Sequence, residues 1–176
     1  YPVGDDPRDL IFDGNDIWVT AFWGDTISRF RASDGALVAT YTSSSYDGTW
    51  PTAMAFDGQY IWMAHSLSKV SKLRASHWLL VDTYSAGNLA YDIVFDGSHI
   101  WVTNGGSKSV TKLDLSGNLV GTYTVGDTPS DLAFDGEYIW VSTNADDTVW
   151  KLRADNGSIV GAYTAGDHPR GLVHDG

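Results

Sequence analysis

Phe134-Asp135-Gly136-Glu137-Tyr138-Ile139-Trp140-Val141 occurs in four versions along this chain. The others are Phe12-Asp13-Gly14-Asn15-Asp16-Ile17-Trp18-Val19, Phe56-Asp57-Gly58-Gln59-Tyr60-Ile61-Trp62-Met63 and Phe95-Asp96-Gly97-Ser98-His99-Ile100-Trp101-Val102. A fifth begins at His174-Asp175-Gly176. The phenylalanines advance by 44, 39 and 39 residues, and His174 lies 40 further on. A fixed period of this length marks a repeat architecture. Each copy reads as strand, turn, strand. Asp-Gly is a tight-turn signal, since glycine takes positive φ at no steric cost and aspartate bonds its own backbone. The Ile-Trp-Val that follows is apolar without alternation, as in a strand covered on both faces. Trp18, Trp62, Trp101 and Trp140 are therefore expected to be the main wedges of the core.

Working outward, each repeat supplies four short strands, and we call them A to D. In the first repeat these are Asp9–Phe12, Ile17–Thr20, Ile27–Arg31 and Leu37–Tyr41, joined by tight turns that leave no room for a helix. Strand C returns as Val70–Arg74, Val110–Asp114 and Val149–Arg153, with basic residues whose stems are expected to lie on apolar surface while the charge reaches water. Strand D returns as Leu80–Tyr84, Leu119–Tyr123 and Ile159–Tyr163. Four-stranded units repeated about an axis are the blades of a β-propeller. A β-solenoid has shorter coils. The expectation is an all-β chain of four blades, at about 9–43, 53–85, 92–124 and 131–164, plus a surplus inner strand at 171–176.

The quoted runs Ile100-Trp101-Val102-Thr103-Asn104, Ser109 to Asp114, and Val125-Gly126-Asp127-Thr128-Pro129-Ser130-Asp131 resemble the YVTN-type bacterial and archaeal propeller repeat. That repeat groups with the NHL and streptogramin-lyase-like propellers. The resemblance covers the whole chain and implies a propeller fold. It says less about function, because such blades scaffold binding proteins, surface proteins and a few enzymes. It implies a location at the cell surface, in the periplasm or outside the cell.

Composition narrows the classes. With 176 residues, 43% hydrophobic and 13% aromatic, the chain can bury a real core. It has no cysteine, hence neither disulfide framework nor thiolate metal site. No apolar run approaches the ~18 residues of a membrane helix. A net charge of −11 argues against nucleic acid and anionic membranes as partners. Glu137 is the one glutamate among 22 acids, so most of the acidity follows from aspartate's use in turns.

The candidate site lies on the face that carries the D-to-A and B-to-C loops. Tyr to Phe spans 11 residues in most repeats but 15 between Tyr41 and Phe56, where the chain reads Ser43-Ser44-Ser45-Tyr46-Asp47-Gly48-Thr49-Trp50-Pro51. Tyr46 and Trp50, with Phe22 and Trp23 from the first B-to-C loop and His65 nearby, are the expected ligand-binding residues. Aromatic rings beside polar groups stack on sugars, aromatic ligands or a partner's side chains; the competing reading is a Trp50 that merely plugs the blade edge. Asp9, Asp92 and Asp131 open strand A in three repeats. Three carboxylates near one axis suit a hard cation, but backbone N–H groups in the loops are the expected partners.

The reading is a non-enzymatic scaffold with no cofactor. Its alternative is a lyase- or hydrolase-like enzyme with a divalent metal and His65 or His168 as general base. The streptogramin-lyase resemblance implies a histidine and a metal-binding glutamate on one face, whereas Glu137 sits in an A-to-B turn on the other. Residues 1–14 and 163–176 agree at eight of fourteen positions. The expectation is an excerpt of a longer array whose open blade faces pair head to tail, two chains making an eight-bladed ring.

Overall fold

One carboxylate closes the first hairpin of each repeat. Asp13 Oδ1 accepts the backbone N–H of Asn15 (2.9 Å) and Asp16 (2.8 Å), while Oδ2 accepts the indole N–H of Trp18 at 2.8 Å. Asp57, Asp96 and Asp135 hold Trp62, Trp101 and Trp140 in the same way at 2.7–2.8 Å. Gly14 carries φ +100° beside it, a conformation open to glycine at little cost. The turn residue thus also satisfies the one polar atom of the tryptophan that must be buried.

The computed structural model describes residues 3–46 and 49–174, without the side chain of Tyr46. It consists of four antiparallel sheets of four strands, each in chain order. The first contains β1 (Pro7–Phe12), β2 (Asp16–Ala21), β3 (Thr26–Arg31) and β4 (Leu37–Thr42); the second β5 (Pro51–Phe56), β6 (Tyr60–His65), β7 (Lys69–Arg74) and β8 (Leu79–Ser85). The third contains β9 (Ala90–Phe95), β10 (His99–Asn104), β11 (Ser109–Asp114) and β12 (Leu119–Thr124); the fourth β13 (Pro129–Phe134), β14 (Tyr138–Thr143), β15 (Thr148–Arg153) and β16 (Ile159–Thr164). Short 3₁₀ turns at Ser43–Tyr46 and Gly105–Ser107 complete the elements. The four blades are those expected from the period. The surplus strand is not seen in its described part: Gly171–His174 forms no ladder, and the Leu172 N–H donates instead to the Asp131 carboxylate.

The chain divides into two compact units, Tyr1–Ser85 and Ala86–Gly176. In the first, Trp18, Ile27, Met54, Ile61, Met63 and Leu73 form the core, with Trp78 stacked on both Trp18 (4.6 Å) and Tyr41 (4.7 Å), whose own ring centres are 6.1 Å apart. Asp9 Oδ2 accepts the N–H of Met54 at 2.7 Å, pinning blade one to blade two. In the second unit the core is Trp101, Val110, Leu132, Ile139, Val141 and Leu152, and Asp92 Oδ2 accepts the N–H of Leu132 at 2.7 Å. The tryptophans of the first three repeats are fully buried, whereas Trp140 is half-buried.

Among the basic residues of the third strands, Arg31 and Arg153 reach water as expected, whereas Lys112 departs from expectation. Lys112 is 1% exposed; its Nζ donates to the carbonyls of Ala154 (2.6 Å) and Asp155 (3.0 Å) and lies 4.9 Å from the Trp101 ring. Burial pushes its ammonium pKa down, with Asp96 and Asp155 opposing. Carbonyl oxygens and an indole face replace the water that snorkelling would have provided.

Candidate functional site

The loop between β2 and β3 is fixed by backbone bonds before any side chain is considered. Phe22 N–H donates to Asp6 O (2.8 Å) and Gly24 N–H to Asp5 O (3.0 Å). Asp25 has φ +51°, and aspartate is among the few side chains that accept this region. Its Oδ1 accepts the Ser43 hydroxyl and the Trp50 N–H, the latter at 3.0 Å. The N–H of Ser66 closes on Trp50 O at 3.2 Å. Trp50 is therefore held from both sides of its backbone.

Trp50 also has positive φ (+56°), as do Asp6, Leu89 and Thr128, each immediately before its repeat's first strand, and His168 at the corresponding place before residues 169–174. The backbone shape at Trp50 thus belongs to every repeat; the indole belongs to this one. In the sequence this position is marked by the recurring pairs Asp6-Pro7, Trp50-Pro51, Thr128-Pro129 and His168-Pro169, and proline disfavours the right-handed helical region for the residue before it.

The rings converge on this frame. Phe22 and Trp23 meet edge to face at 4.9 Å, Phe22 and Trp50 stack at 6.1 Å, and Trp23 and Trp50 stand at 71° with centroids 6.4 Å apart. Phe22 is the buried base, 8% exposed, whereas Trp23 and Trp50 are 66% and 39% exposed. The Arg8 guanidinium lies 3.9 Å from the Phe22 ring centre and pairs with Asp6 at 2.7 Å. Three of the five expected ligand-binding residues are therefore brought together.

His65 is not on that surface. His65 is fully buried, with Nε2 2.9 Å from Ser71 Oγ, and its backbone pairs with Pro51. It supports the Trp50 loop from behind and is out of reach of a ligand on the rings. The Tyr46 side chain lies outside the described residues.

Asp9, Asp92 and Asp131 each accept a backbone N–H, from Met54, Leu132 and Leu172 respectively. Among the described residues no three histidine, aspartate or glutamate side chains stand together as ligands for a metal ion. Glu137 lies in the β13–β14 turn, 3.4 Å from Arg153. His168 is at the other end of those strands, where its Nδ1 is 3.0 Å from Asn144 O. The structure thus does not bring Glu137 and His168 together.

No family model matches the chain, and no curated protein matches its sequence. Solved structures do match its fold. The chain is similar to the hydrazine synthase of Kuenenia stuttgartiensis (TM-score 0.79, 16% identity) over 92% of its own length and 49% of that protein's. It is similar to the WD40 repeats of RRP9 (TM-score 0.82, 17% identity) over 93% and 52%. A functionally unknown protein from Desulfotomaculum acetoxidans matches with TM-score 0.78 and 16% identity, over 96% of this chain and 59% of that one. At such identities the likeness establishes the fold, an all-β propeller of four-stranded blades. The chain spans about half the length of the solved chains it matches.

Proposed function

We propose that this chain is a non-enzymatic binding scaffold of YVTN/NHL-type blades, working outside the cytoplasm, with Phe22, Trp23 and Trp50 as its ligand contacts. One observation carries the reading: two indoles are kept in the open, 66% and 39% exposed, on a backbone already fixed by hydrogen bonds. A platform ordered in advance loses little conformational entropy when it binds. Covering about half of the free indole surface is worth roughly 2–3 kcal/mol. The partner that fits is a flat ring, either a sugar or an aromatic side chain of another protein. The location rests on the resemblance to surface propellers.

Indole fluorescence tests it. Titration with linear oligosaccharides and with an aromatic-rich peptide should shift the emission of the chain. Trp23→Ala and Trp50→Ala should each abolish that response with the fold retained. Binding that survives both substitutions removes this site.

A further inference from the structure

We propose that the free face of the fourth blade, above Trp140, is a docking site for the first blade of a second copy of this chain. The template is the way one blade covers the next inside each unit. Trp18 is fully buried beneath blade two, where Met54 is 3% exposed and donates its N–H to Asp9. Trp101 is fully buried beneath blade four, where Leu132 is 6% exposed and donates its N–H to Asp92. Each junction therefore has three parts: a tryptophan, an aspartate, and an apolar residue of the incoming first strand that seats on one while its N–H bonds the other.

Blade four presents the first two parts with a placeholder for the third. Asp131 accepts the N–H of Leu172. Trp140 opens into a cavity of about 470 Å³ lined by Ala133, Asp135, Tyr138, Leu172 and Val173. Val173 is 90% exposed, and Leu172 and Val173 leave Trp140 half-covered. Where Trp18 meets the ring of Trp78, Trp140 faces the cavity edged by Leu172 and Val173.

Blade one presents the missing third part. Leu10 occupies the repeat position of Met54 and Leu132, pairs across to Val19 as they pair to Met63 and Val141, and is 63% exposed. Phe12, two residues on, is 55% exposed, whereas Phe56 and Phe134 are partly buried and packed on their cores. The segment now resting on Asp131 is moreover a version of the same sequence: residues 163–176 match residues 1–14 at eight of fourteen positions. A second copy would lay Asp9-Leu10-Ile11-Phe12 where Gly171-Leu172-Val173-His174 lies and bring β2 to β4 over Trp140. The contact is heterologous, since the two faces differ. With −11 on each copy, its apolar centre has to overcome charge repulsion, so added salt should strengthen it.

Light scattering and sedimentation on the 176-residue chain decide the matter. The chain should self-associate at micromolar concentration, more tightly in higher salt. Leu10→Asp should weaken association by at least about tenfold, because a carboxylate would have to be buried, and circular dichroism should be unchanged because Leu10 is exposed. Phe12→Ser is the second variant should Leu10→Asp unfold. Ala133→Arg, which fills the cavity, should also give a monomer. An equimolar mixture of Leu10→Asp and Ala133→Arg should then associate again, since one intact face of each kind remains. A monomeric wild type, association that survives Leu10→Asp and Phe12→Ser, or a mixture that stays monomeric would overturn the proposal.

Discussion

The loop between β2 and β3 and the loop between β14 and β15 share one backbone and carry different chemistry. Phe22 N–H reaches Asp6 O and Asn144 N–H reaches Thr128 O, at 2.8 and 3.0 Å. Asp25 and Asp147 both have positive φ, and their Oδ1 atoms accept the N–H of Trp50 and of His168, at 3.0 and 2.8 Å. Ser43 and Ala165 donate to the Asp25 and Asp147 carbonyls at 2.9 and 2.8 Å. On this common frame the first repeat places Phe22, Trp23 and Trp50 where the fourth has Asn144, Ala145 and His168. The third has Gly105 and Gly106 at the matching positions, where a Cβ would meet the Tyr91 ring at 2.3 Å and the Asn88 side chain at 2.7 Å. The repeat fixes the shape of the face. Individual side chains then give the first repeat's loop exposed aromatic rings that the matching loops lack.

If the frame is common, breaking it should cost the same in either unit. Trp18→Ala and Trp101→Ala should each lose about 3–5 kcal/mol in urea denaturation, as for a large buried aromatic. Trp140→Ala, at a position half-open in the single chain, should lose about half as much when made in the Leu10→Asp background, where no second copy covers it. Equal losses at all three would mean that Trp140 is covered in solution.

At the next level, Asp25→Ala and Asp147→Ala each remove the acceptor of a loop backbone N–H and should cost about 0.5–1.5 kcal/mol. The Asn variants should recover most of this, because an amide oxygen still accepts and asparagine tolerates positive φ. A loss confined to Asp25 would show that the Trp50 loop relies on bonds with no counterpart in the fourth repeat.

Much of this was readable from residues alone, and the physical reason is repetition. Asp-Gly, Ile-Trp-Val and the spacing of Trp18, Trp62, Trp101 and Trp140 each occur four times, so four short strands per period followed from local turn and strand chemistry. Phe22, Trp23 and Trp50 stood out because they break the repeat. What stayed hidden depends on contacts between blades. Trp78 stacks on Trp18 without any local pattern that announces it. The burial of Lys112 depends on carbonyls forty residues away. His65 looked available beside the loop, but its strand turns the ring inward to Ser71.

Acid titration separates two carboxylates of blade four. Burial pushes the Asp131 carboxyl up, and bonds from the Leu172 N–H, Asp92 and the Leu132 N–H offset this only in part. Burial also acts on Asp135, but the Trp140 indole and the N–H groups of Glu137 and Tyr138 outweigh it and hold the carboxyl below its ordinary value. The signs are opposite. Asp131 favours folding when protonated, below the ordinary carboxylate range, and that contribution is lost as pH rises through its raised value. Asp135 favours folding above that range, and its contribution is lost as pH falls through its lowered value. Above the ordinary carboxylate value Asp131→Asn should make stability rise more steeply with pH, and below that value Asp135→Asn should flatten the curve. Parallel curves for the two variants would contradict these environments.

The smallest effect is the sharpest test of the loops. Trp23 is 66% exposed and touches its neighbours edge-on, so Trp23→Ala should cost less than about 1 kcal/mol. The matching residue Ala145 is followed by Asp146 and Asp147 in a loop closed by the same bonds, so Ala145→Trp should be equally cheap. Both variants should unfold with the wild type, within that limit, while their fluorescence moves in opposite directions: Trp23→Ala loses a solvent-exposed emitter and Ala145→Trp gains one. A large loss on Trp23→Ala would have a definite meaning. The indole would then be a plug that holds the β2–β3 loop shut, its exposed face would be incidental, and the first repeat would differ from the fourth in its frame as well as in its side chains.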